Sequence, residues 1–212
     1  MKFSELLDTV AELPVFRTGI LLAGDRDPLD VRRQLARWKA AGKVLQLRRN
    51  LYALAPPWRR VRPHPFVIAN ELQRPSYVSL QSALAYHGSI PEAVPITTSV
   101  TTGRPFRHET PLGRFIYRHI APSAFFGYQK EPVLPDQTAF VADAAKALLD
   151  LAYLTPRGDS PAHLRSLRLE GVESIADRLL AHARRWDKPK VRRAVEHVLQ
   201  MQETAPVEGA RS

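Results

Sequence analysis

Residues 43–54, KVLQLRRNLYAL, most strongly constrain the fold, because they predict a short β-hairpin directly after a helix. Apolar residues occupy both arms, and the polar turn between them is Arg48-Arg49-Asn50. Asparagine tolerates the left-handed backbone conformation that such a turn needs.

Three helical segments are predicted before the hairpin, over residues 4–13, 18–22 and 29–41. Ser4 and Thr18 are suited to cap the first two helices, and Gly24 to end the second. Asp27 followed by proline is a strong start signal for the third helix, and Gly42 supplies the left-handed residue that ends it. Three helices followed by a hairpin is the plan of a winged helix.

The third helix has two different faces. Its apolar face consists of Val31, Leu35 and Trp38. Arg33 and Arg37 point away from that face with two alanines between them, while Arg32 and Lys39 lie on one flank. Small residues between arginines allow a helix to approach a DNA groove closely, although a solvated charged face is the ordinary alternative. The basic hairpin turn beside this helix favours the DNA interpretation.

The charge of the chain is also asymmetric. The 212 residues carry a formal net charge of +10, and the isoelectric point is about 10.3. Residues 1–62 hold 13 Lys/Arg and 6 Asp/Glu, whereas the remaining 150 residues hold 18 and 15. The concentration of positive charge in the N-terminal region favours binding to a polyanionic partner. A surface that is only generally basic would show no such asymmetry. The predicted DNA-binding residues are Thr18, Arg32, Arg33, Arg37, Lys39, Arg48, Arg49 and Asn50.

Several functional classes lack their sequence signatures. The chain has no cysteine, which excludes disulfides, cysteine-ligated metals and cysteine nucleophiles. Phosphate-binding loops, dinucleotide fingerprints, zinc-protease and serine-hydrolase motifs are absent, as is the acidic-x-Lys triplet of one large nuclease class. The seven histidines are scattered and show no metal-binding spacing. We predict no enzyme activity, no cofactor, no metal, no membrane partner and a cytoplasmic location.

The motifs follow an order that resembles the AbiEi family, the antitoxins and transcriptional regulators of type IV toxin–antitoxin systems. The similar segments are LARWKAAGKVLQLRRNLYAL (35–54), SYVSLQSALAYHG (76–88), VPITTSVTTGR with GRFIYRHI, AAKALLDLAYL (144–154) and RLLAHARRWDKPKVRRAVEHVL (178–199). In the second of these, Ser79 is expected to cap a helix that Gly88 ends. In the fourth, Leu148, Leu149 and Leu151 are expected to point inward.

The resemblance implies an α+β fold, in which an N-terminal winged helix-turn-helix precedes a larger mixed α/β antitoxin-type domain. We predict the DNA-binding domain at 1–55, a linker at 56–65, the antitoxin domain at 66–203 and a flexible tail at 204–212. The first domain would bind inverted repeats in double-stranded DNA of its own promoter. The second would counteract a nucleotidyltransferase-type toxin without forming a stable complex.

Two alternative functions remain open at this point. The chain could be a stand-alone winged-helix transcription factor whose C-terminal domain dimerises or senses a ligand. Less favoured is an enzyme that acts on nucleic acid or on the toxin. A second basic surface, either solvated or in contact with phosphates, is also predicted near the C-terminus. Its members are Arg184, Arg185, Lys190, Arg192 and Arg193.

Overall fold

The computed structural model describes residues 1–23 and 26–203. Over these residues the chain is a mixed α+β protein with eight α-helices and two β-sheets. Two predictions concern residues outside the described part, namely that Gly24 ends the second helix and that 204–212 form a flexible tail. The α+β class predicted from the sequence is confirmed.

The N-terminal region is built from helices and a small sheet. Its elements are α1 (Phe3–Val10), β1 (Phe16–Arg17), a 3₁₀ helix (Thr18–Leu22), α2 (Pro28–Ala40), β2 (Val44–Arg48) and β3 (Leu51–Leu54). The sheet is antiparallel with the strand order β1-β3-β2. Helix α1 is shorter than predicted and is preceded by Lys2, which makes no side-chain capping bond, so the expected cap at Ser4 is wrong.

A compact apolar core holds this region together. Residues Leu6 and Val10 of α1 pack with Val31 and Leu35 of α2, and all four are at most 2% exposed. Phe3 lies edge-on to Trp38, with ring centroids 5.3 Å apart. Burying apolar side chains from both helices fixes the orientation of α2 and determines which of its faces remains in solvent.

The remainder of the chain forms a larger α/β unit. Its elements are α3 (Pro65–Leu72), β4 (Ser76–Val78), α4 (Leu80–Tyr86), β5 (Ile96–Thr101), β6 (Phe106–Thr110), β7 (Gly113–His119), β8 (Tyr128–Leu134), β9 (Gln137–Ala142), α5 (Ala144–Leu154), α6 (Pro161–Ser166), α7 (Ala176–Trp186) and α8 (Pro189–Glu203). The six-stranded sheet has the order β6-β7-β5-β4-β9-β8. Strands β5 and β7 are parallel, as are β4 and β9, and the other neighbours are antiparallel.

Helix α5 is the central helix of this unit and occupies the predicted range. Leu148, Leu149 and Leu151 are buried, as expected. Helices α7 and α8 pack against α5 and against each other. Asp187 between them adopts a left-handed conformation with φ of 48°.

The β2–β3 hairpin lies between the two apolar cores. Val44 and Leu54 pack with α1 and α2, whereas Leu47, Leu51 and Ala53 belong to the core of the larger unit. The imidazole of His108 on β6 binds the Leu47 carbonyl at 2.6 Å. The small sheet is therefore covered on both faces.

The predicted linker, residues 56–65, contains no helix or strand before Pro65. It is nevertheless attached to the N-terminal helices. The ring of Trp58 lies 5.2 Å from that of Phe3, and Arg60 pairs with Glu12 at 2.9 Å. These contacts hold the segment against α1.

Candidate nucleic-acid interface

Helix α2 starts and ends where the sequence predicts. The Asp27 carboxylate accepts a hydrogen bond of 2.9 Å from the Leu29 backbone N–H, and Pro28 occupies the first helical position. Gly42 adopts φ of +67°, which a residue with a side chain rarely adopts, and the chain turns there into β2. The local signals thus fix both ends of the helix.

The two faces of α2 are sharply different. Val31, Leu35 and Trp38 are 2%, 1% and 8% exposed. The opposite face is in solvent over its full length. Its exposed members are Arg32, Arg33, Ala36, Arg37, Lys39 and Ala40. Because the apolar face is fixed in the core, the cations on the outer face cannot rotate inward without unfolding the region.

The cations of α2 are only weakly engaged within the protein. Arg33 pairs with Asp30 at 3.3 Å, but these side chains are 74% and 66% exposed, so the pair contributes little and exchanges readily. The Lys39 ammonium donates to the Gln46 side chain at 2.8 Å. Neither Arg32 nor Arg37 has an ion-pair partner within residues 1–23 and 26–203.

Two exposed apolar side chains, on α2 and on the preceding 3₁₀ helix, were not predicted from the sequence. Leu29 in the first turn of α2 is 56% exposed, and Ile20 on the preceding 3₁₀ helix is 43% exposed. At 100° per residue, Leu29 lies close to the Arg33 side of α2. An apolar side chain there suits contact with a thymine methyl group. The sequence feature that indicates an exposed Leu29 is its position outside the apolar face of α2.

The hairpin turn contributes less than predicted. Arg49 is exposed, and Asn50 adopts the left-handed conformation expected of it, with φ of 64°. The guanidinium of Arg48 instead donates to the Leu72 carbonyl at the end of α3 and lies 5.5 Å from the centre of the Phe106 ring. Arg48 therefore belongs to the contact between the two parts of the chain.

Thr18 is not a surface residue. Its side chain is 7% exposed, and its hydroxyl has no hydrogen-bond partner in the described part of the chain. The Thr18 backbone N–H donates to the Asn50 carbonyl at 3.1 Å, which holds the start of the 3₁₀ helix against the hairpin turn. Thr18 is therefore a structural link between these two segments. The expectation that Thr18 caps the 3₁₀ helix is wrong, because Arg17 occupies the capping position and no side chain caps this helix.

The predicted C-terminal basic surface is divided among separate contacts. Arg192 pairs with Asp187 and Arg193 with Asp159, both at 2.8 Å. The Lys190 ammonium donates to the carbonyls of Tyr153 and Thr155, at 2.9 and 2.6 Å, and so neutralises the end of α5.

The two remaining members of that basic surface lie on α7. The guanidinium of Arg185 lies 4.1 Å from the centre of the Phe126 ring, which is cation–π geometry. Arg184 is exposed. Four of the five members of the predicted basic surface thus already contact other groups of the protein, although the Arg192–Asp187 pair is 55% and 73% exposed and contributes little to stability.

A buried ionic cluster was not predicted. Lys146 and Asp150 form a fully buried ion pair on α5. The Asp150 carboxylate accepts hydrogen bonds from the hydroxyls of Ser79 and Tyr77, at 2.7 and 3.0 Å. Ser79 occupies the N-cap position of α4, as expected, but its side chain makes no capping hydrogen bond and its hydroxyl instead donates to Asp150. The cluster is internal, and we assign it a structural role.

The environment of the cluster alters its pKa values. Burial lowers the pKa of Lys146 and raises the pKa of Asp150, and each charge opposes the effect on its partner. Burial, followed by the Asp150 charge, raises the pKa of Tyr77 far above its ordinary value. The aromatic rings of Trp186 and Phe126 surround the ammonium at 4.4 and 5.1 Å.

Residues 1–23 and 26–203 show no sign of two other kinds of site. No group of three or more His, Asp or Glu side chains is placed to hold a metal ion there. Within the same residues, no helix has both the length and the apolar character needed to cross a bilayer.

Comparison with known proteins found no protein family whose sequence profile matches this chain and no matching curated sequence.

Proposed function

We propose that the protein is a DNA-binding transcriptional repressor whose N-terminal region acts as a winged helix-turn-helix, with α2 as the recognition helix. One observation carries this proposal: α2 presents Arg33 and Arg37 in solvent around two alanines, while its other face is buried. An α-helix fits the major groove, and arginine forms paired hydrogen bonds with guanine edges there. Arg32, Lys39 and Arg49 are available for phosphate contacts on either side.

The order of elements supports the same proposal. A helix, a short strand, a 3₁₀ helix, α2 and the β2–β3 hairpin follow one another as in a winged helix. The hairpin turn is only Arg49-Asn50. The proposed wing is therefore short, and α2 carries most of the proposed DNA surface.

We further propose that the protein is the antitoxin of a type IV system that counteracts a nucleotidyltransferase-type toxin without a stable complex. This part rests on the resemblance of the sequence motifs to the AbiEi family. The larger α/β unit is the part of the chain available for that role. Co-expression with the adjacent gene, scored by growth rescue, tests it. Failure to rescue growth from a nucleotidyltransferase encoded next door would reject the antitoxin role.

A stand-alone transcription factor is the second candidate. It is favoured by the cleft in the larger unit described below, because a cleft lined by aromatic and basic side chains suits a small effector. The identity of the adjacent gene separates the two candidates. A neighbouring nucleotidyltransferase gene supports the antitoxin.

The DNA-binding proposal is tested by electrophoretic mobility shift with DNA from upstream of the gene. Arg33→Ala/Arg37→Ala should weaken specific binding by about 1–3 kcal/mol for each base-reading side chain that is removed. The matched control is Arg165→Ala/Lys188→Ala, which removes the same charge from exposed positions of the larger unit. Wild-type affinity in the α2 variant, or equal losses in both variants, would refute the assignment of α2 as the recognition helix.

A further inference from the structure

The six-stranded sheet opens between two of its central strands. Strands β4 and β9 pair only at Val78 and Val141. Next to this pair the Asn70 side chain lies between the strands, where it accepts from the Phe140 N–H at 2.6 Å and donates to the Ser76 carbonyl at 3.4 Å. Asn70 thus satisfies backbone groups that a neighbouring strand would otherwise bind.

A cleft of about 700 Å³ lies at this opening. Its walls come from α3, the 74–76 segment and strands β8 and β9. We call it the aromatic–basic cleft and define it by Phe125, Tyr128, Phe140, Arg74, Lys130 and Asn70. Its volume is within the range of clefts that bind small ligands.

Three aromatic rings form the apolar part of the cleft. The centroid of Tyr128 lies 5.0 Å from that of Phe125 and 6.0 Å from that of Phe140. Tyr128 also stacks on Tyr77 at 4.5 Å, and Tyr77 is held by the buried cluster of Lys146 and Asp150. Stacking and hydrogen bonds thus anchor the floor of the cleft to the core. Phe140 is 46% exposed, which is unusual for a large apolar side chain and leaves a ring face uncovered.

The rim of the cleft carries excess positive charge. Lys130 is exposed and has no ion-pair partner within the described residues. Arg74 pairs with Glu71, but the same carboxylate also binds Arg17 of β1 at 3.0 Å. One carboxylate thus serves two guanidinium groups, so Arg74 and Lys130 together can attract a further anion.

We propose that the aromatic–basic cleft binds a small planar aromatic anion. The ring packs against Phe140 and Tyr128, and the anionic group binds the Lys130 ammonium with Arg74 beside it. An aromatic carboxylate and a nucleoside monophosphate share this chemistry, and the experiment below distinguishes them. The site lies in the larger unit and does not depend on whether α2 binds DNA.

The test uses the full-length protein and saturation-transfer NMR with four probes. Benzoate and adenosine monophosphate are planar aromatic anions, benzylamine is an aromatic cation, and cyclohexanecarboxylate is a non-planar anion. At about 10 mM probe, where binding with Kd in the millimolar range is detectable, one or both aromatic anions should show transfer and the other two much less. Preference for benzoate identifies a carboxylate site, and preference for the nucleotide a phosphate site.

Variants locate the binding. Lys130→Ala and Phe140→Ala should each weaken binding about three- to tenfold, since each removes one of the two proposed interactions. The matched control is Leu134→Ala, because Leu134 is an exposed apolar residue on β8, outside the cleft. Thermal unfolding verifies that each variant is folded. No transfer with either aromatic anion, equal transfer with benzylamine, or unchanged affinity in both cleft variants overturns the proposal.

Discussion

Helix α2 carries four Lys/Arg residues and the C-terminal pair α7–α8 carries six, and the two regions use these cations differently. On α2, Arg32 and Arg37 extend into solvent without ion pairs among the described residues. On α8, Lys190 binds two carbonyls and Arg193 binds Asp159. The C-terminal cations stabilise the junctions between helices, whereas those of α2 do little for the fold. A count of basic residues along the sequence therefore overestimates the charge available to a polyanion.

Lys146 differs most from the exposed cations of α2, because its ammonium group is fully buried. Lys146→Met leaves Asp150 buried without its counter-charge, so we expect a loss of about 3–5 kcal/mol in the free energy of unfolding. Chemical denaturation measures this loss. Lys188→Met, at an exposed site, is the control and should change stability by about 0.5 kcal/mol or less.

A double variant sharpens the interpretation. Lys146→Met/Asp150→Leu removes both charges and should recover part of the stability that the single variant loses, because neither charge then lacks a partner. The hydroxyls of Ser79 and Tyr77 still lose their acceptor, so recovery should be incomplete. A single variant as stable as the wild type would mean that the ion pair does not form.

The salt dependence of DNA binding compares α2 and α7–α8 directly. Neutralising Arg32, Arg37 and Lys39 with glutamine should reduce the slope of log K against log salt by about 0.9 for each phosphate that is no longer neutralised. The comparison variant neutralises Arg184, Arg185 and Arg192 and should leave the slope nearly unchanged, since two of these side chains are already engaged. An equal reduction in both variants would show that the C-terminal surface also binds DNA.

We expect Lys190 to contribute to the stability of the folded protein and not to its affinity for DNA. Lys190→Met removes both hydrogen bonds to the carbonyls at the end of α5, and we expect a loss of about 1–3 kcal/mol in the free energy of unfolding. DNA affinity, measured in the same preparation, should not change. Reduced DNA affinity with unaltered stability would reverse the roles assigned to the two regions.

The smallest effect is expected at Arg193. Burial acts to raise the pKa of Asp159, but the hydrogen bond and charge of Arg193 outweigh it, so the pKa lies below its ordinary value. The pair therefore stabilises the folded state above the unfolded pKa of about 3.9 and loses this effect as the pH falls through the folded pKa. Arg193→Ala should cost up to about 1 kcal/mol at pH 7. The difference from wild type should vanish near the acidic end of an unfolding series, and a difference independent of pH would exclude the ion pair as its cause.

The sequence predicted those elements whose signals are local. The Asp27 cap and the left-handed Gly42 follow from neighbouring residues, and the structure agrees with both. Helix α3 and strand β9 were missed. PFVIANEL is short and apolar on several sides, so its periodicity does not distinguish a helix from a buried strand.

The residues of the candidate site were less predictable, because tertiary contacts decide their exposure. Arg48 and Arg49 are adjacent in the same turn, yet Arg48 binds α3 and Arg49 remains in solvent. Lys146 and Asp150 have the spacing of a surface ion pair on a helix. Nothing near them in the sequence shows that Tyr77 and Ser79, about 70 residues earlier, enclose them.

Because residues of the β2–β3 hairpin belong to both apolar cores, the hairpin limits which other N-terminal regions can be recombined with the larger unit. A recombination that replaces residues 1–63 with a different DNA-binding head must also supply side chains matching Leu47, Leu51 and Ala53, which fill the larger core. A head with polar residues at those positions would leave an apolar depression open on the remaining unit. The head and the larger unit are thus expected to change together during evolution, even if their biochemical roles are distinct.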